Sequence, residues 1–103
     1  MTEAEYTQLA DAFFKRLDQA LEEADIDYEL APGGILEMEF DDGSKIIINR
    51  QPPMHEIWVA AKSGGFHFRW QDGVWRDTRS GDELFAALER MVSQQAGETV
   101  RLA

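Results

Sequence analysis

The sequence predicts an α+β fold, a two-layer sandwich with two terminal helices packed on one face of an antiparallel sheet of about six strands. Apolar residues recur with the period of a helix at both ends of the chain and with the period of a strand in between. Gly, Pro and Asp-Gly signals divide the central part into short segments, as in successive hairpins. Because each element has one apolar face, both helices are expected to cover the same side of the sheet. At 103 residues, the chain is expected to form a single domain, 1–103.

The first helix is predicted over residues 3–24. Its apolar stripe has spacings of three and four residues and consists of Tyr6, Leu9, Phe13, Leu17, Ala20 and Ala24. From Asp25 the period changes to two, so Ile26, Tyr28 and Leu30 alternate with acidic residues. A second strand with the same alternation follows the Pro-Gly-Gly turn at 32–34. Both strands are therefore expected to turn apolar side chains inward and carboxylates outward.

Four more strands are predicted after the second. Asp41-Asp42-Gly43 leads into a third strand at 45–50, since Asp-Gly tolerates the positive φ of a tight turn. Pro52-Pro53 ends that strand, because proline donates no ladder hydrogen bond. The remaining strands are predicted at 55–61, 66–70 and 74–78.

The second helix is predicted at about 81–95. Ser80 followed by Glu83 has the spacing of a capping box, and Gly97 is a typical helix end. The tail 98–103 is expected to lie extended against the core.

The sheet face turned away from the helices is expected to be solvated. Strand alternation assigns to it Glu37, Glu39, Lys45, Ile47, Asn49, Glu56, Trp58, His67 and Arg69. Trp58 is unusual there, because an exposed indole on a flat face is a candidate anchor for a partner. The alternative is that the alternation shifts by one residue and Trp58 belongs to the core.

The acidic residues are concentrated at the start of the chain. Residues 1–42 contain 13 of the 20 carboxylates and only two cations, Lys15 and Arg16, and so carry a formal charge of −11. Like charges at this density raise the energy of the compact state. A net charge of −10 argues against a nucleic-acid partner and favours cations or a basic protein surface.

Two absences in the sequence narrow the function further. The chain has no cysteine, which excludes disulfides, thiolate nucleophiles, cysteine zinc sites and a cysteine-ligated cluster scaffold. It has neither a leader pattern nor an apolar run near the ~20 residues of a membrane span, so a cytoplasmic protein without a membrane partner is expected.

The strongest candidate site is a run of carboxylates where the first helix meets the first strand. We name it the acidic ridge, and it consists of Asp18, Glu22, Glu23, Asp25, Asp27 and Glu29. Three of these acids fall at the negative end of the helix dipole, which costs roughly 0.3–1 kcal/mol per charge. Residues placed against local rules without structural gain tend to mark functional sites. Hard oxygen ligands of this kind suit iron, manganese, magnesium or calcium.

The spacing of the ridge predicts weak, open metal sites rather than a closed cage. Asp18 and Glu22 lie one turn apart, about 6 Å along the axis, and could share an ion. Asp11 shares their helix face but lies about 10.5 Å from Asp18 along the axis. Asp25 and Asp27 are about 6.6 Å apart on a strand, which is marginal for joint coordination. The alternative is that these carboxylates form an ordinary solvated face.

Several segments closely resemble the bacterial branch of the frataxin family, and the resemblance runs essentially from end to end. The matching residues are Gly43 to Gln51, Pro53, His55, Ile57 to Ala60, Gly64 to Phe68 and Gln94 to Val100. The resemblance implies the same helix-sheet-helix sandwich. It also implies an iron-binding protein of iron-sulfur cluster assembly that engages the cysteine desulfurase and modulates sulfur transfer to the scaffold protein.

The resemblance also implies roles for individual residues. Iron, as Fe2+ or Fe3+, would bind weakly at Asp18, Glu22, Glu23, Asp25 and Asp27, flanked by Asp11 and Glu29. Asn49, Gln51 and Trp58 match the partner-contact residues of the family's outer sheet face. Glu22 and Glu23 would also meet the partner, since a basic desulfurase surface would dock on the ridge. The protein is expected to be a monomer that iron can assemble into oligomers.

The chain departs from many bacterial relatives at the start of the first strand. Only Ala24 separates Glu23 from Asp25, and Gln19 stands where a carboxylate is common.

Two other function classes remain open on the sequence. The first is an acidic interaction module without a metal role, either a nucleic-acid mimic or a general binder of basic proteins. The second is an enzyme that oxidises ferrous iron. Because no closed two-metal site is visible, a role without catalysis is expected.

Overall fold

The structure, a computed structural model, describes residues 1–102. Its elements are helix α1 Glu3–Ala24, strands β1 Asp27–Ala31, β2 Ile35–Glu39, β3 Lys45–Gln51, β4 Glu56–Ala61, β5 Gly64–Gln71 and β6 Val74–Asp77, and helix α2 Leu84–Ala96. A short 3-10 turn, Pro52–Met54, separates β3 from β4 where the two prolines predict a break. The predicted two-layer α+β fold is confirmed, with two helices on one face of a six-stranded sheet.

The sheet is an antiparallel meander in the order β1-β2-β3-β4-β5-β6. Its register aligns Asn49 of β3, Trp58 of β4 and His67 of β5 in one row. The side facing the helices supplies fully buried core residues, among them Leu36, Met38, Ile46, Ile48, Ile57 and Phe68. The opposite side is left without a covering helix, and it carries the polar residues that alternation predicts.

Helix α1 begins in a reciprocal cap and crosses the sheet diagonally. The Thr2 hydroxyl accepts from the Glu5 N–H, and the Glu5 carboxylate accepts from the Thr2 N–H. Near its start, the Tyr6 hydroxyl donates to the carbonyl of Glu56 at the beginning of β4, at 2.7 Å. Near its end, the helix meets Tyr28 of the edge strand β1. The helix therefore ends beside the first residues of β1.

The structure corrects the predicted start of the second helix. Helix α2 begins at Leu84, and its cap is Glu83, whose carboxylate accepts from the N–H groups of Phe85 and Ala86. Ser80 is not the cap. Residues 78–80 form a turn after β6, in which the Asp77 carboxylate accepts from the N–H groups of Arg79 and Ser80. Glu83 then forms an isolated antiparallel bridge with Arg76 of β6.

The end of α2 is as predicted. Gly97 adopts a left-handed conformation with φ 74°, and glycine takes this conformation without steric cost. The following tail packs on the core through Leu102, whose N–H donates to Glu89. The last residue of the predicted tail, 103, lies outside the described residues.

Three side chains differ from the sequence-based expectation. Leu30, predicted to face inward, is 64% exposed, because the diagonal path of α1 leaves the far end of β1 uncovered. Glu56, predicted to be solvated, is only 3% exposed, because Trp58 and Arg69 contact its carboxylate. His55, the first residue of the strand predicted at 55–61, lies before β4 and ends the 3-10 turn with φ 53°.

No helix within residues 1–102 is both long and apolar enough to span a membrane.

Candidate functional site

The acidic ridge lies at one edge of the molecule, where α1 ends and β1 begins. Helix α1 carries Asp18, Glu22 and Glu23, and Asp25 ends the helix with φ 59°. Strand β1, at the edge of the sheet, carries Asp27 and Glu29. In the part of the chain that the structure describes, no ridge carboxylate forms a salt bridge. The structure thus brings the six predicted residues to one edge and leaves their charge uncompensated.

Tyr28 connects two of the ridge carboxylates. Its hydroxyl hydrogen-bonds the Asp18 carboxylate and lies 3.1 Å from Oε1 of Glu22. The bond to Asp18, together with burial and the bond to Glu22, raises the pKa of the Tyr28 hydroxyl, so the phenol stays protonated. A hydroxyl has one proton to donate, so it satisfies only one of the two carboxylates at a time. Asp18 and Glu22 are thereby held together, as their one-turn spacing predicts.

Strands β1 and β2 place like charges directly opposite each other. Asp27 pairs with Glu39, and Glu29 pairs with Glu37. Such pairs destabilise a sheet, because the side chains are close neighbours on one face. Lys45 of β3 offsets part of the repulsion, with Nζ 2.6 Å from Glu37 and 3.9 Å from Glu39. This cation lies on the β2 side of the pairs, so the carboxylates of β1 remain available.

A cavity of about 230 Å3 extends the ridge around the end of the sheet. Five carboxylates line it: Asp25, Asp27, Glu39, Asp41 and Glu98. Ala24 and Ala96, the last residues of the two helices, also line it, so both helices direct the negative ends of their dipoles toward the same space. The cavity therefore concentrates negative electrostatic potential.

Sequence reasoning did not include three of these residues in the site. Glu39 and Asp41 belong to the acidic first part of the chain. The pairing of β1 with β2 could have identified Glu39, which lies opposite Asp27, whereas Asp41 lies in the turn after β2. Glu98 follows α2, and nothing in its local sequence indicates that the chain returns to the end of α1 there.

Asp11 lies apart from the ridge. Its carboxylate forms an ion pair with Arg50 of β3 at 2.5 Å, and the Arg50 guanidinium also lies over the Phe14 ring, 4.8 Å from its centre. Asp11 is therefore balanced by its own cation, and the geometry separates it from the other predicted ligands.

The arrangement of the ridge determines what kind of ion it could hold. Among residues 1–102, no three carboxylate or imidazole side chains converge on a common point suitable for a metal. The ridge offers single and paired carboxylates, so an ion there would keep water as its remaining ligands. Oxygen donors with retained water suit hard cations at weak, open sites.

A second candidate surface lies on the outer sheet face. Trp58 stacks on His67, with ring centres 4.3 Å apart and an angle of 10° between the planes. The indole N–H donates to Glu56 at 2.8 Å, and alternation places Asn49 and Gln51 of β3 on the same face. Burial opposes the charge of Glu56, but hydrogen bonds from Trp58 and Arg69 hold the pKa of its carboxyl below the usual value. The three predicted partner-contact residues thus share one face.

Comparisons with known proteins agree with one another over nearly the whole chain. Residues 1–98 match the family model described as a frataxin-like domain. The iron-sulfur cluster assembly protein CyaY of Paraburkholderia phymatum is 52% identical, over 100% of this chain and 99% of that protein. CyaY of Dechloromonas aromatica is 55% identical, over 99% of each chain.

Solved structures show the same similarity. A frataxin from Psychromonas ingrahamii has a TM-score of 0.90 at 38% identity, covering 100% of this chain and 99% of that one. A trimeric frataxin from Saccharomyces cerevisiae, complexed with ferrous iron, has a TM-score of 0.75 at 32% identity, covering 86% of each chain.

Proposed function

Since this chain belongs to the frataxin-like family, we propose that it serves iron-sulfur cluster assembly by binding iron weakly on the acidic ridge and by docking on the cysteine desulfurase. Iron is cargo in this proposal, carried as Fe2+ or Fe3+. The bound protein modulates sulfur transfer to the scaffold protein in the bacterial cytoplasm and catalyses no reaction itself.

The observation that supports an iron site most strongly is the lined cavity at the end of the ridge. Five carboxylates line this cavity, and the C-terminal ends of both helices lie beside it. A cation relieves repulsion that the folded protein otherwise carries, so binding does not require a preformed cage. Pairs such as Asp18 and Glu22 extend the attractive surface along α1.

Neutralising two ridge residues tests the iron site. The ridge variant, Glu22→Gln with Asp25→Asn, is expected to weaken Fe2+ binding and to melt at a higher temperature in low salt, because it removes repulsion at a helix C-terminus. The matched control, Glu3→Gln with Asp72→Asn, removes the same charge from exposed positions outside the ridge. Anaerobic NMR titration with Fe2+ measures binding residue by residue.

The outcome that contradicts the iron site is specific. It is a ridge variant that binds Fe2+ like the wild type, or a control variant that loses as much affinity as the ridge variant.

Docking on the desulfurase is supported by two different surfaces. The ridge would meet basic residues and so sets the association rate, which falls as salt rises. Trp58, with Asn49 and Gln51, would supply a central contact, and an aromatic anchor is where binding energy concentrates. Trp58→Phe should therefore raise the dissociation rate from the desulfurase, whereas the ridge variant should lower the association rate. Surface plasmon resonance separates these effects, and unchanged rates in both variants would contradict this docking mode.

One observation favours a second candidate, an acidic docking module without a metal role. Within the described chain, no three donor side chains converge on one point. If desulfurase shifts the ridge resonances and anaerobic Fe2+ leaves them unmoved, this second candidate replaces the first.

Two further experiments on the wild-type protein with Fe2+ test oligomer formation and iron oxidation. We propose a monomer that iron can assemble, and sedimentation with and without Fe2+ measures the assembly. Oxidation of Fe2+ in large excess over the binding sites would show turnover and would contradict the role without catalysis.

A further inference from the structure

Glu56 is a buried carboxylate on the sheet face that has no covering helix. It is the first residue of β4 and is 3% exposed, although its neighbours on this face, His67 and Arg69, have side chains 50% and 57% exposed. A buried carboxylate persists only where charges and hydrogen bonds satisfy it. The charge and the hydrogen bonds around Glu56 therefore account for its burial.

The two carboxylate oxygens of Glu56 have different partners. Oε2 accepts from Nε and Nη2 of Arg69, at 3.1 and 2.6 Å, across the β4-β5 pairing. Oε1 accepts from the indole Nε1–H of Trp58 at 2.8 Å. Arg69 thus supplies the opposite charge, and the remaining oxygen is directed at the tryptophan.

These contacts define what Trp58 presents to its surroundings. Its N–H is occupied by Glu56, and one ring face is covered by the imidazole of His67 at 4.3 Å. A free indole on a sheet surface would rotate about two side-chain torsions, and ordering it costs a partner free energy on binding. Here the rotation is restricted in advance, and the surface that stays open on the ring is hydrocarbon.

We propose that Glu56 is a positioning residue that fixes the Trp58 indole for contact with an apolar group of a protein partner. The inference rests on the proposed docking role of Trp58. It adds that the Trp58 N–H takes no part in recognition, and that the orientation is set by the Arg69-Glu56-Trp58 chain of hydrogen bonds.

The test begins on the protein alone. The chain contains three tryptophans, and Trp58→Phe identifies the indole N–H signal of Trp58 by NMR. Glu56→Ala should shift that signal and speed its exchange with water, while the signals of Trp70 and Trp75 stay in place. Glu56→Gln retains an acceptor oxygen and should restore the Trp58 signal in large part. A Trp58 signal unaffected by Glu56→Ala overturns the positioning role.

The second step measures affinity for the cysteine desulfurase. Glu56→Ala should weaken binding about three- to tenfold, the loss expected for one side chain that must now be ordered on binding. Glu56→Gln should recover most of the loss. In a Trp58→Phe background, Glu56→Ala should have no further effect.

Two failures are distinguishable in this design. Equal losses in both backgrounds mean that Glu56 acts other than through Trp58, which overturns this inference. No loss from Trp58→Phe itself contradicts the proposed docking role, while the NMR signal still reports whether Glu56 holds the indole.

Discussion

Glu56 and Asp27 are both acidic residues of strands, yet their side chains meet opposite surroundings. Glu56 is enclosed by Arg69 and Trp58, and its charge is satisfied within the fold. Asp27 faces Glu39 across the β1-β2 pair and lines a cavity of further acids. The first carboxylate contributes to a fixed surface, whereas the second remains available to a cation. The same residue type thus occurs in two opposite electrostatic environments.

Glu56 should leave a signature in the pH dependence of stability. Its pKa in the folded protein is lowered from 4.5, so its stabilising contribution is present above that value and is lost as the pH falls through the lowered pKa. The wild type should therefore lose stability on acidification more steeply than Glu56→Gln, which has no proton to gain at this position. Urea unfolding at a series of pH values below neutral measures the slopes. Parallel slopes for the two proteins would contradict the assignment.

The two helices illustrate what local patterns specify. Thr2 caps helix α1, Glu5 follows three residues later, and the capping box is formed. Ser80 and Glu83 have the same spacing, yet Glu83 itself caps α2. The difference arises from Asp77 at the end of β6, which binds the N–H groups of Arg79 and Ser80 and holds that segment out of the helix. A tertiary contact thus overrides the local signal.

Alanine substitutions distinguish the observed cap of α2, Glu83, from the cap that the sequence predicts, Ser80. Glu83→Ala should lower the free energy of unfolding by about 1 kcal/mol, because two N–H groups of the first turn lose their acceptor. Ser80→Ala should cost clearly less, since its hydroxyl accepts only from the Asp82 N–H at 3.2 Å. Chemical denaturation of both variants measures the difference. A larger loss from Ser80→Ala would restore the cap that the sequence predicts.

Over the whole molecule, the negative charge is distributed unevenly between the acidic ridge and the outer sheet face. The ridge gathers acids at one edge of the sheet, whereas the outer face around Trp58 also carries Lys45 and Arg69. A net charge of −10 on 103 residues then produces repulsion that is concentrated rather than spread. Stability should consequently depend on ionic strength.

Monovalent salt should stabilise the protein. Raising NaCl from about 10 mM to about 300 mM shortens the screening length from about 30 Å to less than 10 Å and should raise the melting temperature. The ridge variant, Glu22→Gln with Asp25→Asn, should gain less, because part of the repulsion is already removed. Calorimetry of both proteins measures the two increments. Equal increments would indicate that the ridge is not where the repulsion lies.

The periodicity of apolar residues predicts the helices, the strands and the junction between them. The remaining features depend on tertiary contacts, which periodicity does not specify. The change of period at Asp25 locates the junction of α1 and β1, and with it the six ridge acids. The burial of Glu56 depends on the cross-strand neighbour Arg69, which the sequence places thirteen residues away. Glu98 joins the cavity only because α2 ends beside α1. Leu30 is exposed because a helix crosses the sheet at an angle, and no residue in β1 encodes that angle.

Both helices end at the same cavity, so their dipoles help to orient the molecule as it approaches a charged partner. The dipoles of two antiparallel helices would cancel. The dipoles of α1 and α2 instead reinforce each other, and their negative ends lie beside the acidic side chains of the cavity. A positively charged surface therefore exerts a torque on the tumbling protein and turns its acidic end forward before any atoms touch. A larger fraction of collisions therefore occurs with the acidic end facing the positively charged surface.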